Sequence, residues 1–301
     1  VCRELRLTLE DAVRKWMVAD VEVGSFLSGG LDSSLIAALA SRAVERPLKT
    51  FSVGLQGSPD IQAATRVAEH IDSEHHQLIF TADDLARALP HVIYHLESAD
   101  VDLVRSAIPT HFATTLARQH VKAVLTGEGA DELFAGYAYH HAYARSPRAL
   151  ADELTRSLTG MHNINLQRVD RVTMAQGLEA RTPFLDRDLI DFAQSTPASV
   201  KMRITDEQTG QTTEKWILRK ACQDLLPHDL IWREKAQFDE GTGTVASLDD
   251  ALSIATGTPA PVDRQTEARL YHDILCGQFE NPEMILQNAG TWLEDRVRVS
   301  S

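Results

Sequence analysis

Residues 26–35 read FLSGGLDSSL: an apolar pair, two glycines, an aspartate set among hydroxyls, then a new apolar run. The stretch follows a strand candidate at Val23–Leu27 and leads into a helix predicted over Ser33–Val44. Working outward, the spacing predicts a strand at Lys49–Leu55, a helix at Asp60–His70, a strand at His76–Phe80 and a helix ending near Leu96. Thr81-Ala-Asp-Asp opens that helix with a capping hydroxyl and early acids. A helix near Pro109–His120 then leads into the strand VKAVL at 121–125. Such alternation predicts an α/β fold, a doubly wound parallel sheet with right-handed crossovers. From Ala138 the pattern turns mostly helical, with candidates at Arg148–Leu158, Leu166–Gln176, Asp188–Gln194 and Lys215–Leu225, and one more in TEARLYHDILCGQF at 266–279. The expected division is therefore 1–137 as α/β core and 138–301 as a helical part that completes the site.

The bulk properties bound the class. At 301 residues and 43% hydrophobic, the chain can bury a large core. It has no apolar run of membrane-spanning length and no charged-then-apolar leader, so neither membrane anchor nor secretion is expected and the cytoplasm is the default. Cys2, Cys222 and Cys276 are too scattered for a disulfide framework or a zinc cluster. A net charge of -13 argues against a nucleic-acid partner.

The glycine turn has a physical reading. In a parallel sheet, ligands sit beyond the carboxyl ends of the strands, and Ser28-Gly29-Gly30 lies at such an end, just before a helix. Free N–H groups and the helix dipole attract anions there, and glycine lets a phosphate approach the backbone. Asp32 fits beside phosphates once a divalent cation is added, since Mg²⁺ takes one or two carboxylates together with phosphate oxygens. The GxxxxGK[ST] spacing of the common phosphate loop is missing, so a bond of ATP other than the γ-phosphoryl is the expected one to break.

SGGLDSS resembles the pyrophosphate loop of the ATP pyrophosphatases. FSVGLQGSPD from Phe51, LTGEGADELFAGY from Leu125 and GLEARTPFLDRDLID from Gly177 are similar to the synthetase domain of class B asparagine synthetases. YHLESADVDLVRSAIP, EKWILRKACQDLLP, WREKAQFDEGTG and ARLYHDIL extend the likeness over nearly the whole chain. The resemblance implies an ATP pyrophosphatase-type fold, ATP and Mg²⁺ as cofactors, and an AMP-forming carbon-nitrogen ligase that adenylates an aspartate-like carboxylate and passes it to ammonia or another amine.

Carried over by position, Asp32 and Asp131 are the expected Mg²⁺ ligands. Ser28, Gly29, Gly30 and Ser33 would cradle pyrophosphate, with Lys235 adding positive charge. Phe26, Val53, Thr126 and Gly127 fall where the family holds adenosine. Glu128 is placed to accept a proton from the incoming amine. Arg105 would clamp a substrate carboxylate, with Asp102 beside it.

Two departures bear on the substrate. The family's glutaminase domain, which opens with a catalytic cysteine, is not matched, and Cys2 reads as part of an opening helix. Either the chain is part of a longer protein, or it uses free ammonia, ammonia from a separate glutaminase chain, or another amine. Asp102 replaces a family threonine, and Asp239-Glu240 adds further acid, which favours a cationic group in or near the substrate. A specialised amide ligase, a β-lactam synthetase-like ring closure and a noncatalytic nucleotide-binding subunit, as well as a homodimeric state, stand beside the leading expectation; a tRNA-modifying enzyme is disfavoured by the charge. Plainer roles are expected for His91 and His95, for His75-His76 and His140-His141 as surface residues, and for Arg181 and Asp186 as an internal ion pair.

Overall fold

The computed structural model describes residues 1–206, 211–233, 244–257 and 259–290. A parallel sheet of five strands runs in the order β3-β2-β1-β4-β5, formed by β1 Val23–Phe26, β2 Lys49–Gly54, β3 Glu74–Ile79, β4 Ala123–Leu125 and β5 Glu179–Arg181. The α/β doubly wound architecture thus has its topological switch between β1 and β4, whose register pairs Ser25 with Leu125. The loops leaving these two strands lie side by side at the carboxyl edge, where reversal of strand order places a crevice.

Helices cover both faces of the sheet. On one side α1 Cys2–Trp16, α2 Leu31–Ser41, α3 Pro59–His70 and the later segments around Leu189 and Leu218 bury Leu5, Leu9, Leu35, Ile36 and Phe184 in one core. On the other, α4 Ala82–Leu96 and α5 Val101–Ala117 pack with the 244–256 and 264–278 helices around Phe51, Leu89, Ile108 and Tyr271. Strand alternation explains the split: Phe51 and Val53 enter the second core, while Thr50 and Ser52 point the other way. There His75 links them, with Nδ1 2.8 Å from Thr50 Oγ1 and Nε2 3.1 Å from Ser52 Oγ.

Several elements depart from the sequence expectation. α5 begins at Val101, capped by Asp100, whose carboxylate accepts from Leu103 N at 2.9 Å, and it runs through Pro109 rather than starting there. Proline costs an internal helical hydrogen bond, but buried Leu103, Val104, Ala107 and Ile108 hold the helix continuous. α4 likewise carries Pro90 within a helix opened by the expected Thr81 capping box. The EAR of 179–181, assigned to no strand in the sequence reading, is β5, pairing Ala180 with Val124. A small antiparallel hairpin of β6 Arg203–Asp206 and β7 Gln211–Thr213 has no counterpart in the sequence reading.

Arg181 and Asp186 do not form the expected pair. Arg181 instead donates to Glu179 at 2.7 Å and to the carbonyls of Trp16 and Val18, tying β5 to the end of α1. Asp186 accepts from Asp188 N at 3.1 Å, capping the helix Arg187–Ser195, and faces Lys15. His140 is fully buried, not a surface residue, because the short helical turn Ala138–Tyr143 folds it inward, where its Nδ1 accepts from Tyr137 N.

Candidate active site

The glycine turn after β1 is knotted around one hydroxyl. Ser33 Oγ accepts from Ser28 N at 3.1 Å, lies 2.9 Å from Ser28 Oγ and reaches Gly30 O at 3.3 Å. Gly29 takes φ +78°, and a Cβ there would stand 2.6 Å from Asp60 O, so glycine is required twice over. α2 then starts with Gly30 as its N-cap and no side-chain cap, which leaves its first N–H groups directed at the crevice. Arg233 braces the turn from outside, donating to Gly29 O at 3.1 Å and to Asp60 Oδ1 at 2.8 Å. Burial raises the Asp60 pKa, and the Arg233 bond works against that rise.

The second loop comes from β4. Thr126 N donates to Arg181 O at 2.8 Å, and Gly127 lies so close to α2 that a Cβ on it would stand 2.8 Å from Ser33 N and 2.9 Å from Asp32 Cβ. The expected adenosine residues Phe26, Val53, Thr126 and Gly127 therefore lie at or just past the ends of three adjacent strands. α6, Ala130–Phe134, follows Gly129 and carries Asp131.

Between the loops stands a residue that sequence reasoning passed over as the start of a helix. Lys215 Nζ is 2.5 Å from Asp32 Oδ2 and 2.5 Å from Asp131 Oδ1. Its side chain is 2% exposed, against 18% and 20% for the aspartates, and Asp32 Oδ1 is itself buried from solvent. Burial alone would lower the lysine pKa, but the two carboxylates more than offset this and hold it above its ordinary value. The expected metal ligands thus converge on one cation-sized position. Among the described residues no group of three or more His, Cys, Asp or Glu is arranged around a metal. Two carboxylates converging on one position nevertheless fit a Mg²⁺ that would complete its shell with phosphate oxygens and water.

Glu128 is gripped by Arg168, whose Nη2 donates to Oε1 at 2.5 Å while Nη1 donates to Thr110 Oγ1 at 2.9 Å. Nothing in NLQRVDR marks Arg168, rather than Arg171, for burial from the sequence alone. Behind Asp131 lies a buried group of Glu132, Tyr137 and Asn165: Tyr137 Oη and Asn165 Nδ2 both donate to Glu132 Oε1, the latter at 2.7 Å. Burial first, and the Asp131 charge second, push the Glu132 carboxyl up to about 7.

The expected substrate residues on α5 face a different helix. Arg105 Nε and Nη2 donate to Glu267 at 2.8 and 2.6 Å, and Asp102 Oδ2 accepts from Arg264 Nη2 at 2.7 Å. The cationic group sought for Asp102 is thus supplied by the chain itself, and a substrate carboxylate on Arg105 would share that guanidinium with Glu267. Lys235 and Asp239-Glu240 lie outside the described residues.

His91 is exposed, with its ring 4.4 Å from that of His95 and 5.2 Å from that of His111 in edge-to-face packing at the outer side of α4. No helix among the described residues is long and apolar enough to cross a membrane.

The family profile described as asparagine synthase matches residues 4–152 and 144–255. A probable glutamine-hydrolyzing asparagine synthetase of Schizosaccharomyces pombe is 41% identical over 266 residues, covering 79% of this chain and 47% of that protein. The glutamine-hydrolyzing asparagine synthetase of Gallus gallus is 39% identical over 250 residues, 80% of this chain and 43% of its own length. Asparagine synthetase B of Escherichia coli K12 is 39% identical over 255 residues, 80% and 45%. The chain spans about half the length of the curated relatives it matches, and with the family profile matching most of its residues, it belongs to the asparagine synthase family.

Proposed function

We propose that this chain is an ATP-dependent, amide-forming synthetase. A substrate carboxylate oxygen attacks the α-phosphorus of ATP, the α–β P–O bond breaks and pyrophosphate leaves; an amine or ammonia then attacks the acyl carbon, the bond to AMP breaks, and the nitrogen gives up a proton. The observation that supports this reading most is the meeting of the Ser28–Ser33 turn and the Thr126–Asp131 loop at the switch point, with Asp32 and Asp131 around one cation position. In this reading residues 1–137 hold the nucleotide and the rest of the chain completes the site.

The turn's N–H groups and hydroxyls would bind the departing pyrophosphate, which needs donors fixed before the bond breaks. Asp32 and Asp131 would hold Mg²⁺, whose chemistry when bound is to neutralise charge developing on the phosphates. Glu128, oriented by Arg168, is assigned the proton from the attacking nitrogen; Thr126 and Gly127, with Phe26 and Val53, are assigned the adenosine. The relatives are named as asparagine synthetases that hydrolyse glutamine, which makes aspartate and ammonia the first pair to try.

The test is pyrophosphate and AMP production from MgATP with aspartate, then a panel of amino acids, each with ammonia or hydroxylamine. Asparagine from aspartate and ammonia supports the plain synthetase. Turnover with another acid or amine alone supports a specialised amide ligase, the reading that the Asp102–Arg264 pair favours because it sets a charged couple where the family has threonine. Silence across the panel with nucleotide still bound would move the assignment to a noncatalytic subunit. Asp32→Asn and Asp131→Asn are each expected to abolish pyrophosphate release.

A further inference from the structure

Two carboxylates drawn toward one point repel each other, and partial burial strengthens that repulsion because the surrounding dielectric is low. Something in the chain must offset this whenever no ligand does. Lys215 does so from a fixed frame. Its backbone lies in the left-handed region at φ 52°, a strained conformation for a lysine, and such strain persists only where the surroundings enforce it. Lys215 N donates to Phe134 O at 3.2 Å, at the end of the helix that carries Asp131, and Lys215 O accepts from Arg219 N at 2.9 Å. The space for its stem is cleared by Gly136, where a Cβ would stand 1.9 Å from Asp131 Oδ1 and 2.1 Å from Lys215 Cε. Backbone strain, an obligatory glycine and two ion pairs all serve to place one ammonium between Asp32 and Asp131.

We propose that Lys215 is a built-in counter-ion that assembles the Asp32–Asp131 site and reserves it for a divalent cation arriving with nucleotide phosphates. This inference rests on the ATP reading above. Two carboxylates and one ammonium leave a single net negative charge, and the ammonium already takes an oxygen from each carboxylate. A bare divalent cation must compete with it for both. When phosphates enter the crevice they bring several negative charges, and the ammonium and the divalent cation can then divide the oxygens between them. Metal and nucleotide therefore bind better together than apart, a coupling that is reciprocal by linkage. The benefit to the enzyme is that a metal ion does not settle in the site ahead of ATP.

The test is a Mn²⁺ titration followed by the electron paramagnetic resonance signal of the free ion. It is run on the whole chain alone and with an ATP analogue bridged by methylene between the α and β phosphates, corrected for Mn²⁺ held by free analogue. The wild type is expected to bind Mn²⁺ at least about tenfold more tightly with the analogue than alone. Lys215→Met is expected to bind Mn²⁺ alone at least about tenfold more tightly than the wild type, and to lose that gain when Asp131→Asn is added. Lys215→Gln serves as the second variant if the methionine form does not fold. Mn²⁺ affinity unchanged in these variants, or equal in the wild type with and without analogue, overturns the Lys215 inference while leaving the ATP reading intact. Failure of the wild type to bind the analogue at all overturns the ATP reading, and this inference with it.

Discussion

Arg105 presents two parallel donors to the two oxygens of Glu267, and Glu267 is completely buried. Tyr271 Oη adds a third bond at 2.9 Å to the same carboxylate. The pair joins α5 to the 264–278 helix across 162 positions of sequence, and the Asp102–Arg264 pair repeats the join at the surface. Removing one partner of a buried pair strands the other charge. Glu267→Ala is expected to destabilise the chain by about 3–5 kcal/mol, whereas Arg105→Leu with Glu267→Leu costs less than either single change. Denaturant unfolding of Glu267→Ala, the two single leucine variants and the double variant checks this. A double variant as unstable as Glu267→Ala would mean that packing, not charge, dominates the join.

Gly127 tests how closely the two loops must approach. An alanine there would press on Ser33 N and Asp32 Cβ, both at less than ordinary contact distance, and neither is the far end of a flexible side chain. Gly127→Ala is expected to weaken ATP binding by at least about tenfold while unfolding near the wild-type midpoint, because the collision falls in the crevice rather than in either core. Isothermal titration with MgATP and thermal unfolding read the two effects separately.

Lys201, at the end of the short helix Ala198–Lys201, is buried and makes no ion pair among the described residues, and burial pulls its pKa down to about 8. Lys201→Met is expected to stabilise the chain at pH 7 by on the order of 1–3 kcal/mol, since a charge is no longer held out of water. The sign with pH follows from linkage. The unfolded chain binds the extra proton between about 8 and the usual 10.5, so wild-type stability gains from this group as pH rises through that window, and the methionine variant shows no such gain. Stability measured at pH 7 and pH 10 decides the matter.

Acid should loosen the fold through its half-buried histidines His75 and His111. Burial first, and the neighbouring His76 charge second, lower the His75 pKa to about 4 from 6.5. Burial and the His91 charge lower that of His111 to about 4 as well. The unfolded chain takes up these protons first, so stability falls as pH drops from about 6.5 to about 4. His75→Gln is expected to remove one proton's share of that slope, on the order of 1.4 kcal/mol per pH unit at most. Denaturant midpoints at pH 7, 6 and 5 check it; an unchanged slope would show that His75 does not titrate in this range.

Much of the architecture was legible from the chain alone, because local and periodic information suffices for it. Alternating apolar runs predict β1, β2, β3 and β4 and the helices between them, and the Ser28–Ser33 turn needs only glycine and hydroxyl chemistry to be read as a phosphate loop. Asp32 and Asp131 were nominated by motif, and they do face one point. What the tertiary structure decided is what lies between and behind them. Lys215 comes from a stretch 183 positions away from Asp32, and Arg168 from one 40 positions away from Glu128; no local pattern distinguishes a lysine that enters a crevice from one that faces water. β5 is three residues long and acquires its strand geometry from pairing with β4, and Pro109 sits inside a helix because packing outweighs one missing hydrogen bond. Short-range sequence nominated the groups proposed here to hold a nucleotide; long-range packing determined which charges stand beside them.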